Sequence, residues 1–166
     1  MALKGVNIGI NWHRSGAGPD GGRSIPLTAF ASLAAVPGVR LVSLQKGRGS
    51  EQLTAVAGQW PITDLGGRLD EEAGPFMDRA AVMMNLDLVV TSDTSIAHLA
   101  GALGVPVWVA LPFAPDWRWL LQREDSPWYP TMRLFRQTEP GRWQDVFERV
   151  ARELGNMPAV SGETAR

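Results

Sequence analysis

The chain contains no cysteine. Disulfides, zinc–thiolate centres and a cysteine nucleophile are therefore all excluded. Histidine is almost as scarce: His13 and His98 are the only two, too few for a histidine-built metal cage. No apolar run approaches the length of about 20 residues that a membrane-spanning helix needs, since stretches such as Val105 to Phe113 are short and broken by proline. Charge of one sign is missing as well. Sixteen basic against seventeen acidic residues leave a net charge of -1, which gives nucleic acid and anionic membrane no general electrostatic hold. Met1-Ala2-Leu3-Lys4 lacks the charged start and apolar stretch of a signal peptide, so a cytoplasmic, soluble protein is expected.

What is present is ordinary globular material, 166 residues at 45% hydrophobic and 20% charged, enough for one domain. Val6 to Trp12 reads as a strand and runs into a glycine-rich loop, His13 to Ser24. Pro26 opens a helix with Leu27, Phe30, Ala31 and Ala34 at helical spacing, and Pro37-Gly38 stops it. Val39 to Leu44 and Ile62 to Leu65 read as further strands. A helix follows with Phe76, Ala80, Met83 and Met84 on one face, then a strand from Leu86 to Thr91. The next helix has Ile96, Leu99, Ala100 and Leu103 as its inner face and Gly104 as its stop. Strands at Pro106 to Leu111 and Met132 to Phe135 precede a last helix striped by Trp143, Val146, Phe147, Val150, Ala151 and Leu154. Strands alternating with helices predict an α/β fold, a single Rossmann-like doubly wound parallel sheet over residues 1–154. Residues 155–166 are small and polar, and a flexible tail is expected there.

Ligands of such sheets bind beyond the carboxyl ends of the strands. Three loops qualify: His13 to Ser24, Gln45 to Gly49, and Ser92 to Ser95. Asp93, Thr94 and Ser95 stand where a helix begins, with free N–H groups and a dipole that favours an anion, and His98 lies one turn further on. The alternative is that Asp93 or Thr94 simply caps that helix. Arg14 and Arg23 on the glycine loop are candidate phosphate clamps, against the commoner reading of solvated arginines. Gly16-Ala17-Gly18-Pro19-Asp20-Gly21 literally matches G-x-G-x-x-G. In a dinucleotide fold, however, the third glycine lies inside the helix, whereas Pro26 opens the helix here. The second strand also ends at Gln45-Lys46, with no acid for a ribose.

Lys46, one of two lysines against fourteen arginines, is placed at a strand end facing the crevice, or is a solvated turn residue. Seven tryptophans are present, with Trp117, Trp119 and Trp128 close together. One of these three is expected to touch ligand and the others to pack, with Asp116 accepting from hydroxyls. There is no G-x-S-x-G elbow, no P-loop, no D-x-D pair and no obvious pair of carboxylates.

The stretch Val89-Val90-Thr91-Ser92-Asp93-Thr94-Ser95-Ile96-Ala97-His98-Leu99-Ala100-Gly101-Ala102-Leu103-Gly104-Val105-Pro106-Val107 resembles the nucleotide-sugar motif of the heptosyltransferase-like (family 9) glycosyltransferases. Leu44-Gln45-Lys46-Gly47 and Pro112-Phe113-Ala114-Pro115-Asp116-Trp117-Arg118-Trp119 are similar to segments of the transferase-like module carried by bacterial tetratricopeptide-repeat proteins. The likeness covers roughly Val6 to Leu154. It implies the C-terminal, donor-binding half of a GT-B glycosyltransferase, which holds a nucleoside diphosphate sugar without metal or other cofactor. Asp93, Thr94, Ser95, His98 and Arg23 would then surround the phosphates. Lys46, Asp116, Trp117 and Arg14 would border the sugar or base. Lysine is usual where Arg23 stands, and glycine is common where Ser95 stands. The acceptor-binding half, which typically supplies the catalytic base, and the repeats lie outside these 166 residues. The isolated domain is therefore expected to be a poor enzyme. The competing readings are a non-catalytic interaction module that keeps the fold and, third, an NAD(P)-dependent oxidoreductase domain.

Overall fold

The computed structural model describes residues 5–157, apart from Ala17 and Ala73. Six strands form one sheet: β1 (Val6–Asn11), β2 (Val39–Ser43), β3 (Ile62–Asp64), β4 (Leu88–Ser92), β5 (Val107–Leu111) and β6 (Met132–Arg136). All five pairings are parallel and the order is β3-β2-β1-β4-β5-β6. The order reverses between β1 and β4, paired from Ile8↔Leu88 to Asn11↔Thr91. At such a switch point the loops leaving the two strands diverge to opposite faces and open a crevice.

The helices are α1 (Ala31–Ala34, entered through a 3-10 turn, Leu27–Phe30), α2 (Gln52–Val56), α3 (Met77–Met83), α4 (Ser95–Ala102) and α5 (Trp143–Asn156). Side chains alternate between the two faces of a strand, and the core divides accordingly. Ile8, Ile10, Leu88 and Val90 face Phe30, Leu33, Val146, Phe147 and Val150 on one side. Val89, Val107, Val109 and Leu134 face Met83, Ile96, Ala97 and Ala100 on the other. Burial of β4 on both faces is why Leu88, Val89 and Val90 follow one another without polar alternation. The α5 stripe lies against α1, with the Phe30 and Phe147 rings 4.3 Å apart.

Several expectations need correction. The α3 face is not Phe76, Ala80, Met83 and Met84: Phe76 and Met84 are exposed and Met83 is the buried member. Phe76 lies outside the helix at φ 67°, and the buried carboxylate of Asp70 accepts from the N–H groups of Asp78 and Arg79, which sets the helix rotation. In α4 the inner face is Ile96, Ala97, Ala100 and Gly101, while Leu103 is exposed. Small residues turn inward there because the helix lies close to its neighbours. The short helix α2 had no clear periodic signal in the sequence. Gly104 follows α4 at φ 70°, the left-handed position expected of a helix-ending glycine. Helix α5 continues to Asn156, past the expected boundary at 154, and residues 158–166 of the expected tail lie outside the described residues. Among the described residues no helix is long and apolar enough to cross a membrane.

Candidate anion site at the switch point

The carboxyl ends of β1 and β2 are tied together by one side chain. Gln45, almost fully buried, accepts from the N–H groups of Trp12 (3.2 Å) and His13 (2.9 Å) and donates to the carbonyls of His13 (3.1 Å) and Arg48 (2.8 Å). Gly49 passes so near His13 that a Cβ there would lie 2.4 Å from the His13 Cβ. This clasp fixes where the glycine loop leaves the sheet. Within the loop, Arg14 Nη1 donates to the carbonyls of Gly18 (2.7 Å) and Pro19 (3.1 Å), and Arg23 Nε donates to Asp20 O (3.0 Å). Among the described residues neither arginine pairs with a carboxylate, so both charges are available to a ligand.

Across the crevice, β4 delivers Asp93, Thr94 and Ser95 to the start of α4. Thr94 is the N-cap residue, with extended φ/ψ of -138° and 174°, but no side chain caps the helix. Its hydroxyl lies instead 3.4 Å from Asn11 Nδ2 and 3.3 Å from Thr91 Oγ1. Capping by Asp93 or Thr94 is thereby set aside, and the positive end of α4 faces the crevice without a side-chain acceptor. Asp93 is 3% exposed, and its Oδ2 has no hydrogen-bond partner among the described residues.

Arg14, Ser15, Arg23, Asp93, Thr94, Ser95, His98 and Arg118 line one open cavity of about 300 Å³. Sequence motifs separated by some 70 residues thus meet at one place. His98 is half-buried. Burial pulls its pKa below the ordinary imidazole value and the positive charge of Arg118 adds to this, against the upward pull of Asp93 and Asp116. Asp116 accepts from the backbone N–H of Arg118 (3.1 Å) and from its Nε (2.8 Å). The backbone bond first, and then the Arg118 charge, hold its carboxyl below the usual range.

Not every expected residue joins this cavity. The Lys46 ammonium donates to the Leu69 carbonyl and lines a separate cavity of about 410 Å³ with Thr54, Asp64 and Gly66. Asp116 stands behind Arg118. Trp117 is 77% exposed and does not line the cavity. Of the three clustered tryptophans only Trp119 packs inside, because Trp117 and Trp128 lie on the surface. The literal G-x-G-x-x-G segment also fails as a helix-opening turn, since the 3-10 turn begins at Leu27, beyond it.

Sequence reading missed two residues. Arg118 lies within a stretch already singled out, where attention went to its acidic and aromatic neighbours. Tyr129, the only tyrosine, meets His98 Nδ1 at 3.1 Å, and no local spacing could indicate that. Among the described residues no group of three or more His, Asp or Glu converges in a way that would hold a metal. Three guanidinium groups, an imidazole and a helix start without a side-chain cap thus border one cavity, a concentration of donors and positive charge of the kind that suits an anion.

Fold and strand order together define a Rossmann-like α/β domain of the kind found in GT-B glycosyltransferases. Solved heptosyltransferases and a family 9 glycosyl transferase have a similar fold. With Escherichia coli ADP-heptose lps heptosyltransferase II the TM-score is 0.59 at 20% identity, over 92% of this chain and 46% of that one. With E. coli heptosyltransferase WaaC, solved with ADP-2-deoxy-2-fluoro heptose, it is 0.54 at 16% identity, over 92% and 44%. A family 9 glycosyl transferase from Veillonella parvula gives 0.52 at 17% identity, over 93% and 39%. In sequence, the chain is 29% identical over 163 residues to Protein FlbA of Caulobacter vibrioides, over 93% of this chain and 26% of that protein. No protein-family model matches. The chain thus spans about a quarter of FlbA and less than half of each transferase.

Proposed function

We propose that this domain binds the diphosphate of a nucleoside diphosphate sugar and serves as the donor-binding part of a metal-independent glycosyltransferase. The observation that carries the reading is the α4 N-terminus, uncapped by any side chain and facing a cavity shared by Arg14, Arg23, His98 and Arg118. The likeness of fold to heptosyltransferases supports it. So does the ADP-sugar analogue named with one of those structures. In transfer, the bond from the anomeric carbon to the diphosphate breaks as an acceptor hydroxyl attacks, and negative charge grows on the departing phosphate. Fixed N–H groups and guanidinium charges stabilise that charge without a divalent ion. Asp93 acts through His98, favouring its cation, rather than on the phosphate itself. The acceptor, the base that deprotonates it, and any repeat region belong to a partner half.

Calorimetric titration with UDP, ADP, GDP and NADP, each with and without magnesium, tests this directly. One nucleoside diphosphate should bind saturably without magnesium. Charge-assisted hydrogen bonds contribute about 1.5–3 kcal/mol, so His98→Ala and Arg23→Ala should each weaken binding about tenfold or more. Unchanged affinity in His98→Ala and Asp93→Ala sinks the assignment, and binding of NADP alone restores the oxidoreductase reading.

A second reading rests on a different observation. Phe113, Trp117, Leu120, Leu121 and Trp128 are exposed along one segment, with Leu121 at 82%. A run of this kind suits a protein-contact surface. Silence across the whole nucleotide panel would favour an interaction module.

A further inference from the structure

The surroundings of His98 determine which ring nitrogen carries its hydrogen. Nε2 lies 3.4 Å from Nη1 of Arg118, and a guanidinium can only donate. Nε2 must therefore present its lone pair. The single proton of the neutral ring then sits on Nδ1, where the Tyr129 hydroxyl accepts it at 3.1 Å. The ring has little freedom to turn over. Trp119 stacks on it at 5.3 Å and 19°, and Tyr129 meets it edge-on at 5.7 Å and 60°. Tyr129 reaches this position only because residue 101 is glycine. A Cβ there would lie 2.5 Å from Tyr129 Cγ.

Every charged element around the ring can be named. Asp93 precedes α4, and Asp116 and Arg118 come from the turn after β5. Arg14 and Arg23 reach the same cavity from the β1 loop. Two carboxylates favour an imidazolium. Burial opposes it and lowers the His98 pKa, and the guanidinium at Nε2 adds to this, because protonation there would set N–H against N–H. Asp116 holds Arg118 through Nε and, more loosely, Nη2, but both side chains are partly exposed and Nη1 stays free to turn to a ligand. A dianionic ligand in the cavity competes for that guanidinium.

We propose that ligand binding and protonation of His98 are one event. The diphosphate draws Arg118 away from Nε2, a proton from solvent enters at Nε2, and the ring then donates to the ligand. Tyr129 accepts from Nδ1–H in both states and is a positioning residue. This rests on the phosphate-binding reading above and adds a linkage to it. Affinity should then rise with falling pH, by up to tenfold per unit, between the His98 pKa values of the bound and free protein.

The test combines two measurements on the whole chain. Nitrogen-15 spectra of the histidine rings in the free protein, assigned with His98→Gln, should show His98 as the Nδ1–H tautomer. Titration with ADP-ribose and UDP-glucose in buffers of different ionisation enthalpy should then show uptake of about one proton on binding. These diphosphate diesters carry no titrating phosphate proton near neutrality. In Tyr129→Phe, which keeps the ring, the bound imidazolium loses its acceptor at Nδ1–H while Arg118 still holds the free ring as the Nδ1–H tautomer. Affinity should fall several-fold and its rise at low pH should flatten, whereas a merely structural role would leave that pH profile unchanged. Binding without proton uptake, or an Nε2–H tautomer in the free protein, overturns this inference and leaves the nucleotide reading standing. Failure of both diesters and of the whole nucleoside diphosphate panel overturns both.

Discussion

Gln45 is the residue on which the site's geometry most depends, although it touches no part of the cavity around Asp93. It makes four hydrogen bonds to the backbone of the β1 and β2 loops. Truncation would leave buried N–H and carbonyl groups unpaired, each at a cost of about 1–3 kcal/mol, partly relieved by entering water. Gln45→Ala should therefore lower stability by about 2–3 kcal/mol in urea denaturation. His98 predicts a pH dependence at the same scale. Its folded pKa lies below the unfolded value of about 6.5. In the window between them the unfolded chain binds more protons, so stability rises with pH. The contribution is full above about 6.5 and is lost as pH falls through the lower, folded pKa. Unfolding midpoints of His98→Gln measured from pH 8 to 5 should decline less than those of the parent; parallel curves would refute this.

Elements place these residues through close contacts that their own sequences do not reveal. In α4, glycine rather than leucine faces inward at position 101, and Tyr129 fills the space. Alanine in a helix interior is ordinarily worth about 1 kcal/mol over glycine. Here the added methyl collides with a ring, and overpacking costs about 1–3 kcal/mol. Crowding should win, so Gly101→Ala is expected to be destabilising and to weaken nucleotide binding by displacing Tyr129 from His98. A gain in the urea midpoint would show that Tyr129 shifts without cost. The rotation of α3 has a similar origin. Asp70 is in the left-handed region at φ 55°, and its carboxylate receives the first N–H groups of the helix together with the Arg79 guanidinium. Apolar spacing alone would have turned Phe76 and Met84 inward.

For the whole molecule, the balance of charge and its distribution say different things. Net charge is -1, yet Arg14, Arg23 and Arg118 gather at one cavity over the switch point. Attraction for a polyanion is therefore local, and it is screened over the Debye length, about 10 Å at 0.1 M salt. Raising sodium chloride from about 0.05 M to about 0.5 M should weaken nucleotide binding several-fold while the urea midpoint changes little. Equal affinity at both salts would argue that the base or sugar, rather than the phosphates, carries the binding. Phe113, Trp117 and Trp128 follow β5 at the carboxyl edge of the sheet, and all three are exposed.

Local chemistry was enough to establish the alternation of strands and helices, the parallel sheet and the start of α4 just beyond β4. Apolar periodicity, proline and glycine stops, and the Asp93–His98 spacing all act within a few residues of themselves. Short elements escaped that reading: α2 is five residues long and carries little periodic signal. The cavity as a whole was also out of reach. Arg23 meets Asp93 because β1 lies beside β4, and Lys46 is turned aside because the Leu69 carbonyl lies within its reach. Arg118 and Tyr129 meet His98 from 20 and 31 residues away. Such pairings depend on strand order and on how closely α4 packs, and both follow from burying the two faces of one sheet. No short stretch of chain encodes that distance, so the residues of the site could be nominated one by one, but only the folded chain decided which of them share a cavity.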